Sequence, residues 1–240
     1  MAARSTNHPP GPTGAGALAS SLVLPYADRA EAGRALARRL AACDLPPPRV
    51  VIALPRGGVP VALEVARALQ APLDLLLVCR IGAPGQPEWA VAALADGSPP
   101  RLVVDEPACR LAGVGRGWIE AGVRRAVAEN ARRRQRYLGA RPRLPVAGAT
   151  VVVVDDGLAT GNSARAALAA LRDRQPARRV LAVPVGAAEA VAALRTECDA
   201  VICLAEPAPF GAIGLYYRDF RPVDDEAVMA ALAAAGSRPA

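Results

Sequence analysis

Two adjacent carboxylates, Asp155 and Asp156, stand directly before a turn of small residues, Gly157 to Gly161, that delivers Ala159, Thr160, Asn162 and Ser163 to the start of an alanine-rich segment. Four valines, Val151 to Val154, precede the acids. An unbroken apolar run of that length predicts a strand buried on both faces, and the alanine-rich segment predicts a helix from near Ala164. A strand, a tight turn and a helix start form an anion site, because free backbone N–H groups and the positive end of the helix dipole face one point. Carboxylates beside such a cradle accept hydrogen bonds from hydroxyls, and a ligand carrying both groups is a ribose 5-phosphate. The same spacing also fits a plain helix capped by Thr160 or Ser163 after a loop with incidental acids. It does not fit a Walker loop, which needs a Gly-Lys-Ser/Thr ending.

A second strand, turn and helix unit lies upstream. Arg49 to Leu54 (RVVIAL) reads as a buried strand, Pro55-Arg56-Gly57-Gly58 as its turn, and Val59 to Leu69 as a helix with Pro60 in the first turn. The turn offers backbone amides and one guanidinium, which forks onto two oxygens and so suits a second phosphate group. Its bland alternative is an ordinary turn with Arg56 in solvent.

The remaining elements must position these two loops. A helix over Tyr26 to Ala42 has Asp28 near its start. Leu73 to Ile81 reads as a third strand, Gly82 to Pro87 as a loop, and Glu88 to Ala95 and Arg101 to Val104 as two pairing strands. Gly117 to Leu138 predicts a helix with Ile119, Val123 and Val127 on one stripe and Arg124, Arg125, Arg132, Arg133, Arg134 and Arg136 elsewhere. Those arginines read as a solvated face partly paired through Glu129, or as a nucleic-acid stripe. Arg179 to Val185 and Ala200 to Leu204 read as strands around a helix over Ala187 to Arg195, and Asp224 to Ala235 as a last helix. Alternating strands and helices imply an α/β fold with a parallel sheet and ligands at the carboxyl ends of its strands. Phe210, Tyr216, Tyr217 and Phe220 cluster near the end of the chain, where they either stack on a flat base or cover the sheet edge.

Composition removes several chemistries. All 29 basic residues are arginine, so Schiff-base catalysis has no lysine. His8 is the only histidine and lies in a Pro/Gly-rich stretch, which removes Ser-His-Asp and Cys-His catalysis and histidine metal sites. Five cysteines without C-x-x-C spacing argue against a zinc site or a disulfide framework and for a reduced, cytoplasmic setting. No apolar run approaches a membrane span. The net charge of +7 suits polyanionic ligands. At 240 residues, one domain over 22–236 is expected, with residues 1–21 as a disordered leader.

The stretch Thr150 to Leu168 (TVVVVDDGLATGNSARAAL) resembles the phosphoribosyl pyrophosphate (PRPP) motif of the type I phosphoribosyltransferases. The resemblance covers most of Leu22 to Leu232 and is specific around Ala53 to Pro60 and Val151 to Ser163. It is greatest to a less characterised group that reads A-L-P-R-G-G-V-P and then R-K-I-G-x-P-G-x-P-E; here Cys79-Arg80 stands for the R-K pair, and Glu88 matches the acid. The resemblance implies a Rossmann-like parallel-sheet fold with a mobile hood inserted over 82–116. It implies PRPP binding by Arg56, Gly57, Gly58, Asp155, Asp156, Ala159, Thr160, Gly161, Asn162 and Ser163, with Arg56, Arg80 and Glu88 as catalytic residues. Mg2+ would come with the pyrophosphate, near Asp155 and Asp156 but with no assigned protein ligand, and Phe210, Tyr216 and Tyr217 would receive a nitrogenous base. A cis Pro55-Arg56 peptide and a homodimer are implied as well. Ala159 occupies the place where 6-oxopurine enzymes carry an aspartate, so the segment looks more like the adenine enzymes. The alternative within the same fold is a non-catalytic PRPP sensor that uses its arginine-rich helix on nucleic acid.

Overall fold

The computed structural model describes residues 24–236; the expected leader over 1–21 lies outside them. In chain order the elements are α1 (Arg29–Ala41), β1 (Arg49–Ala53), α2 (Gly58–Leu69), β2 (Leu73–Leu75), β3 (Val78–Ala83), β4 (Gln86–Ala95), β5 (Arg101–Val104), α3 (Glu106–Leu111), α4 (Arg116–Leu138), β6 (Thr150–Val154), α5 (Asn162–Arg172), β7 (Arg178–Val185), α6 (Ala188–Leu194), β8 (Ala200–Ala205) and α7 (Asp225–Gly236). A short 3-10 turn covers Ile213–Tyr216.

Five parallel strands form the central sheet in the order β2-β1-β6-β7-β8. Alternate residues of each strand serve opposite faces, and both faces are covered. Val51, Ala53, Val152 and Val154 pack with Leu36, Leu40, Val59 and Val65 of α1 and α2 and with Val228 of α7. Val50, Ile52, Val151 and Val153 pack with Leu168 and Leu171 of α5 and with Val191 and Leu194 of α6. Burial on both sides is why these strands read as unbroken apolar runs. Val151 to Val154 are all fully buried, and each such side chain contributes about 1.5–3 kcal/mol by leaving water.

Register decides what the sheet presents. Ala53 at the end of β1 pairs with Val154 at the end of β6, in two neighbouring strands. The turns after both strands therefore emerge side by side at the carboxyl edge, where ligands bind in open α/β sheets.

The expected single strand over Leu73 to Ile81 is corrected: it is two strands in two sheets. β2 pairs with β1, whereas β3 joins β4 and β5 in a separate antiparallel sheet. Leu76 N–H still donates to Ala53, but Leu77 N–H donates to Asp96 Oδ1 and Leu77 C=O accepts from Asp96 N–H, which pins the chain to the second sheet. Leu73 to Val78 stay buried across the junction, so hydropathy carries no mark of the break. The expected loop over Gly82 to Pro87 is instead mostly the β3–β4 hairpin, closed at Pro84-Gly85 with Gly85 at φ 70° and a register shift beside Gly82. On α4, Val127 is exposed, and the buried seam runs through Gly122, Ala126, Asn130 and Tyr137. The seam was hidden because its residues are small or polar.

Candidate active site

The Pro55-to-Gly58 turn grows out of β1 against the end of β6. Leu54 N–H donates to Val154 C=O at 2.9 Å, and Gly58 N–H closes the turn onto Leu54 C=O at 3.1 Å. The Pro55-Arg56 peptide is cis, as the family resemblance implied. A Cβ on Gly57 would stand 2.1 Å from Asp156 Oδ2, and one on Gly58 would stand 2.7 Å from Val154 O. Both glycines are there because backbone lies on backbone and on carboxylate.

The acids follow β6 directly. Asp155 Oδ1 accepts from Asp156 N–H at 2.9 Å, and Asp156 Oδ2 accepts from Arg29 Nε at 2.8 Å. Burial pushes the Asp155 carboxyl well above the usual carboxylate range, and the neighbouring Asp156 charge adds to it. Burial raises Asp156 as well, against the pull of its hydrogen bond to Arg29. The Arg80 charge draws both acids slightly down.

Beyond the acids the loop is tied to β7: Leu158 N–H donates to Val185 and Leu158 C=O accepts from Ala187 N–H. Gly161 then adopts φ +77°, a left-handed conformation that glycine takes without penalty, and its nearest neighbour is Leu194. This reversal starts α5 at Asn162, two residues earlier than the alanine pattern suggests, with no side-chain cap on its first turn. The first-turn N–H groups have no intrahelical partner and open beside Thr160 and Ser163, an arrangement that suits an anion. Ala159 and Thr160 are exposed.

The other expected site residues divide. Arg56 reaches away from the acids to Asp225 Oδ1 at 3.5 Å. Arg80 lies on β3 and Glu88 on β4, 3.4 Å apart at their charged ends and both exposed. Phe210 and Tyr216 stack at 5.3 Å and are partly exposed. Tyr217 is corrected as a base platform: it is 5% exposed, lies between Tyr26 and Phe220, and donates its hydroxyl to Asp156 C=O at 2.6 Å. Its ring braces the acid loop.

Two residues with a place in this site escaped the sequence. Arg29 sits at the first position of α1, behind the capping Asp28. A cation there opposes the helix dipole, and that misplacement was the available signal. Asp105 caps α3 through Ala108 N–H and accepts from the buried Asn162 Nδ2 at 3.0 Å. It thereby joins the small sheet to the phosphate loop, and nothing local in the sequence reveals it.

Among the described residues no group of three acids, cysteines or histidines could hold a metal, and no helix is long and apolar enough to cross a membrane. A cavity of about 420 Å³ opens beside Arg29, walled by Pro60, Asp219, Arg221 and Val223.

Two loops thus adjoin at one edge of the parallel sheet, a glycine turn after β1 and paired acids with a helix start after β6. The chain belongs to the phosphoribosyl transferase domain family, whose model matches residues 26–218. It is 43% identical over 207 residues to a protein of Mycobacterium tuberculosis H37Rv named "Putative phosphoribosyl transferase Rv0571c", covering 86% of this chain and 46% of that one. This chain thus spans about half the length of the curated relatives it matches. The crystal structure of TT1426 from Thermus thermophilus superposes with a TM-score of 0.71 at 43% identity, over 87% of this chain and 98% of that one. The fold is the α/β fold of the type I phosphoribosyltransferases.

Proposed function

We propose that this chain transfers the ribose 5-phosphate group of PRPP to a nitrogenous base with release of pyrophosphate, or catalyses the reverse. The observation that carries the reading is the contact of the Arg56-Gly57-Gly58 loop with the Asp155–Asp156 pair. A single ligand bearing pyrophosphate at C1 and hydroxyls at C2 and C3 spans that junction, and its 5-phosphate then reaches the α5 start.

Each acid has one oxygen committed, Asp155 Oδ1 to Asp156 N–H and Asp156 Oδ2 to Arg29. Asp155 Oδ2 and Asp156 Oδ1 accept no hydrogen bond from another residue among the described residues, and two acceptors suit two neighbouring hydroxyls. The α5 amides, Thr160 and Ser163 bind the 5-phosphate. Arg56, the amides of Gly57 and Gly58, and Arg80 bind pyrophosphate, and Glu88 steadies Arg80. In the transfer a base nitrogen forms a bond to C1 while the C1–oxygen bond breaks, and its electron pair leaves with pyrophosphate. Arg56 and Arg80 stabilise that departing charge, and the β3–β5 hood keeps water from C1. Phe210 and Tyr216 present the stacking surface for the base.

Mg2+ fits this donor set: it binds through one or two carboxylates plus substrate phosphates rather than in an all-protein cage, and only carboxylate oxygens of Asp155 and Asp156 are at hand. When bound it neutralises pyrophosphate and improves it as a leaving group.

The test is calorimetry of PRPP with Mg2+ on the wild type and on Asp155→Asn/Asp156→Asn. Binding by the wild type that the double substitution abolishes supports the reading, and pyrophosphate release is then screened across nitrogenous bases. A folded wild type that binds no PRPP overturns it.

A further inference from the structure

Arg29 is a buried cation at a position where burial and the helix dipole both disfavour it. It is 9% exposed and opens α1, where the helix dipole disfavours a positive charge. Its surroundings hold it from three sides. Nε donates to Asp156 Oδ2 at 2.8 Å, Nη1 donates to Arg221 C=O at 3.0 Å, and the Phe220 ring centroid lies 3.8 Å from Cζ. An arginine fixed by packing, a carbonyl and a carboxylate has one available geometry, and so does the carboxylate it holds.

Asp156 is separated from Arg29 by 127 positions in the chain, and its other restraints complete the arrangement. Its carbonyl accepts the Tyr217 hydroxyl, its N–H donates to Asp155, and Gly57 closes over Oδ2. Without Arg29, two neighbouring carboxylates, Asp156 buried and Asp155 half-buried, repel, and one of them protonates or turns away. With it, Oδ2 is held by the guanidinium, and Oδ1 accepts no hydrogen bond from another described residue.

We propose that Arg29 is a positioning residue: by clamping Asp156 Oδ2 it aims Asp156 Oδ1 beside Asp155 Oδ2, and this aimed pair makes the site select a ribose over a 2-deoxyribose. The inference rests on the ribose-phosphate reading of the site. Arg29 itself touches no part of the sugar. The phosphate cradle belongs to α5 and is independent of it.

The test is calorimetric titration with ribose 5-phosphate and 2-deoxyribose 5-phosphate of the wild type, Arg29→Gln and Arg29→Lys, with folding checked by circular dichroism. The wild type prefers the ribose sugar. Arg29→Gln lowers that preference about tenfold or more, the size of a lost hydrogen bond to a charged group, because 2-deoxyribose 5-phosphate keeps the α5 cradle and has no 2-hydroxyl contact to lose. Arg29→Lys keeps the charge, loses the fork and falls between the two. A scaffolding role alone would weaken both sugars alike. A folded Arg29→Gln with the wild-type preference overturns the proposal. If Arg29→Gln does not fold, Arg29→Lys decides, and a preference equal to wild type overturns it. A wild type that binds both sugars equally removes the selective role but leaves the phosphate site standing. A wild type that binds neither removes the ribose-phosphate reading and this proposal together.

Discussion

Gly57 of the first loop lies against the carboxylate of Asp156 in the second, so that a Cβ on Gly57 would stand 2.1 Å from Oδ2 and 2.7 Å from Cγ. Arg29 holds the Asp156 carboxylate and Tyr217 its backbone carbonyl, which resists its displacement. Gly57→Ala therefore shifts the loop, and PRPP affinity measured by calorimetry falls at least tenfold. Gly117→Ala is the control: nothing lies within 4 Å of that position, in the first turn of α4. It keeps full affinity and stabilises the protein by about 0.5–1 kcal/mol, since alanine is the better helix former.

Beyond the apolar packing of the small sheet on α5, one carboxylate ties the segment after β5 to the first residue of α5. Asp105 accepts Ala108 N–H through Oδ1 and Asn162 Nδ2 through Oδ2. Asp105→Ala loses a helix cap and leaves the buried Asn162 amide unpaired, a cost of about 1–3 kcal/mol. Urea unfolding is expected to show that loss, and PRPP binding to weaken in parallel. Unchanged binding in a destabilised variant would show that the latch serves folding alone.

Acid sensitivity is expected where α7 begins. Asp225 accepts the Tyr137 hydroxyl at 2.5 Å and pairs with Arg136 at 3.1 Å. The Tyr137 bond, then Arg136 and Arg56, hold its carboxyl below the usual carboxylate range, while burial and the Asp225 bond push Tyr137 up to about 12. A depressed acid contributes stability that is complete above its unfolded value, about 3.9, and is lost as pH falls through the lower folded value. Wild type should exceed Asp225→Asn in stability at pH 7, and the gap should close between about pH 5 and pH 2. Denaturant melts of both proteins across that range check the sign; a gap that widens with acid would refute it.

Nucleic-acid binding through α4 is expected to be weak. Arg132 and Arg133 share Glu129, Arg136 lies between Asp225 and Glu226, Arg116 pairs with Glu120, and Arg134 is 3.9 Å from Asp96. Paired guanidinia release few counterions on meeting phosphates, and of the stripe Arg124 and Arg125, both exposed, are the two outside these pairs among the described residues. Filter binding of RNA at low and physiological salt should show little retention and a shallow salt dependence. A steep loss with salt would establish the stripe.

The two loops were legible because their signals are local: a valine run, two acids, a glycine turn and a small-residue helix start are adjacent in the chain, and the same holds for Arg49 to Leu69. Periodicity and turn chemistry act over a few residues, so strand, loop and helix were determined by the sequence alone, as was the absence of lysine chemistry. The break between β2 and β3 was decided by pairing, since Leu77 meets Asp96 across a hairpin and the apolar run passes unbroken between two sheets. Tyr217 looked like a platform by composition and became a brace because Tyr26 and Phe220 cover its faces. Arg29, Asp105 and Gly57 acquire their places from partners far away in the chain. A carboxylate's oxygens are apportioned by distance and direction, and only the folded chain brings Arg29, Asp156 and the first loop to one point.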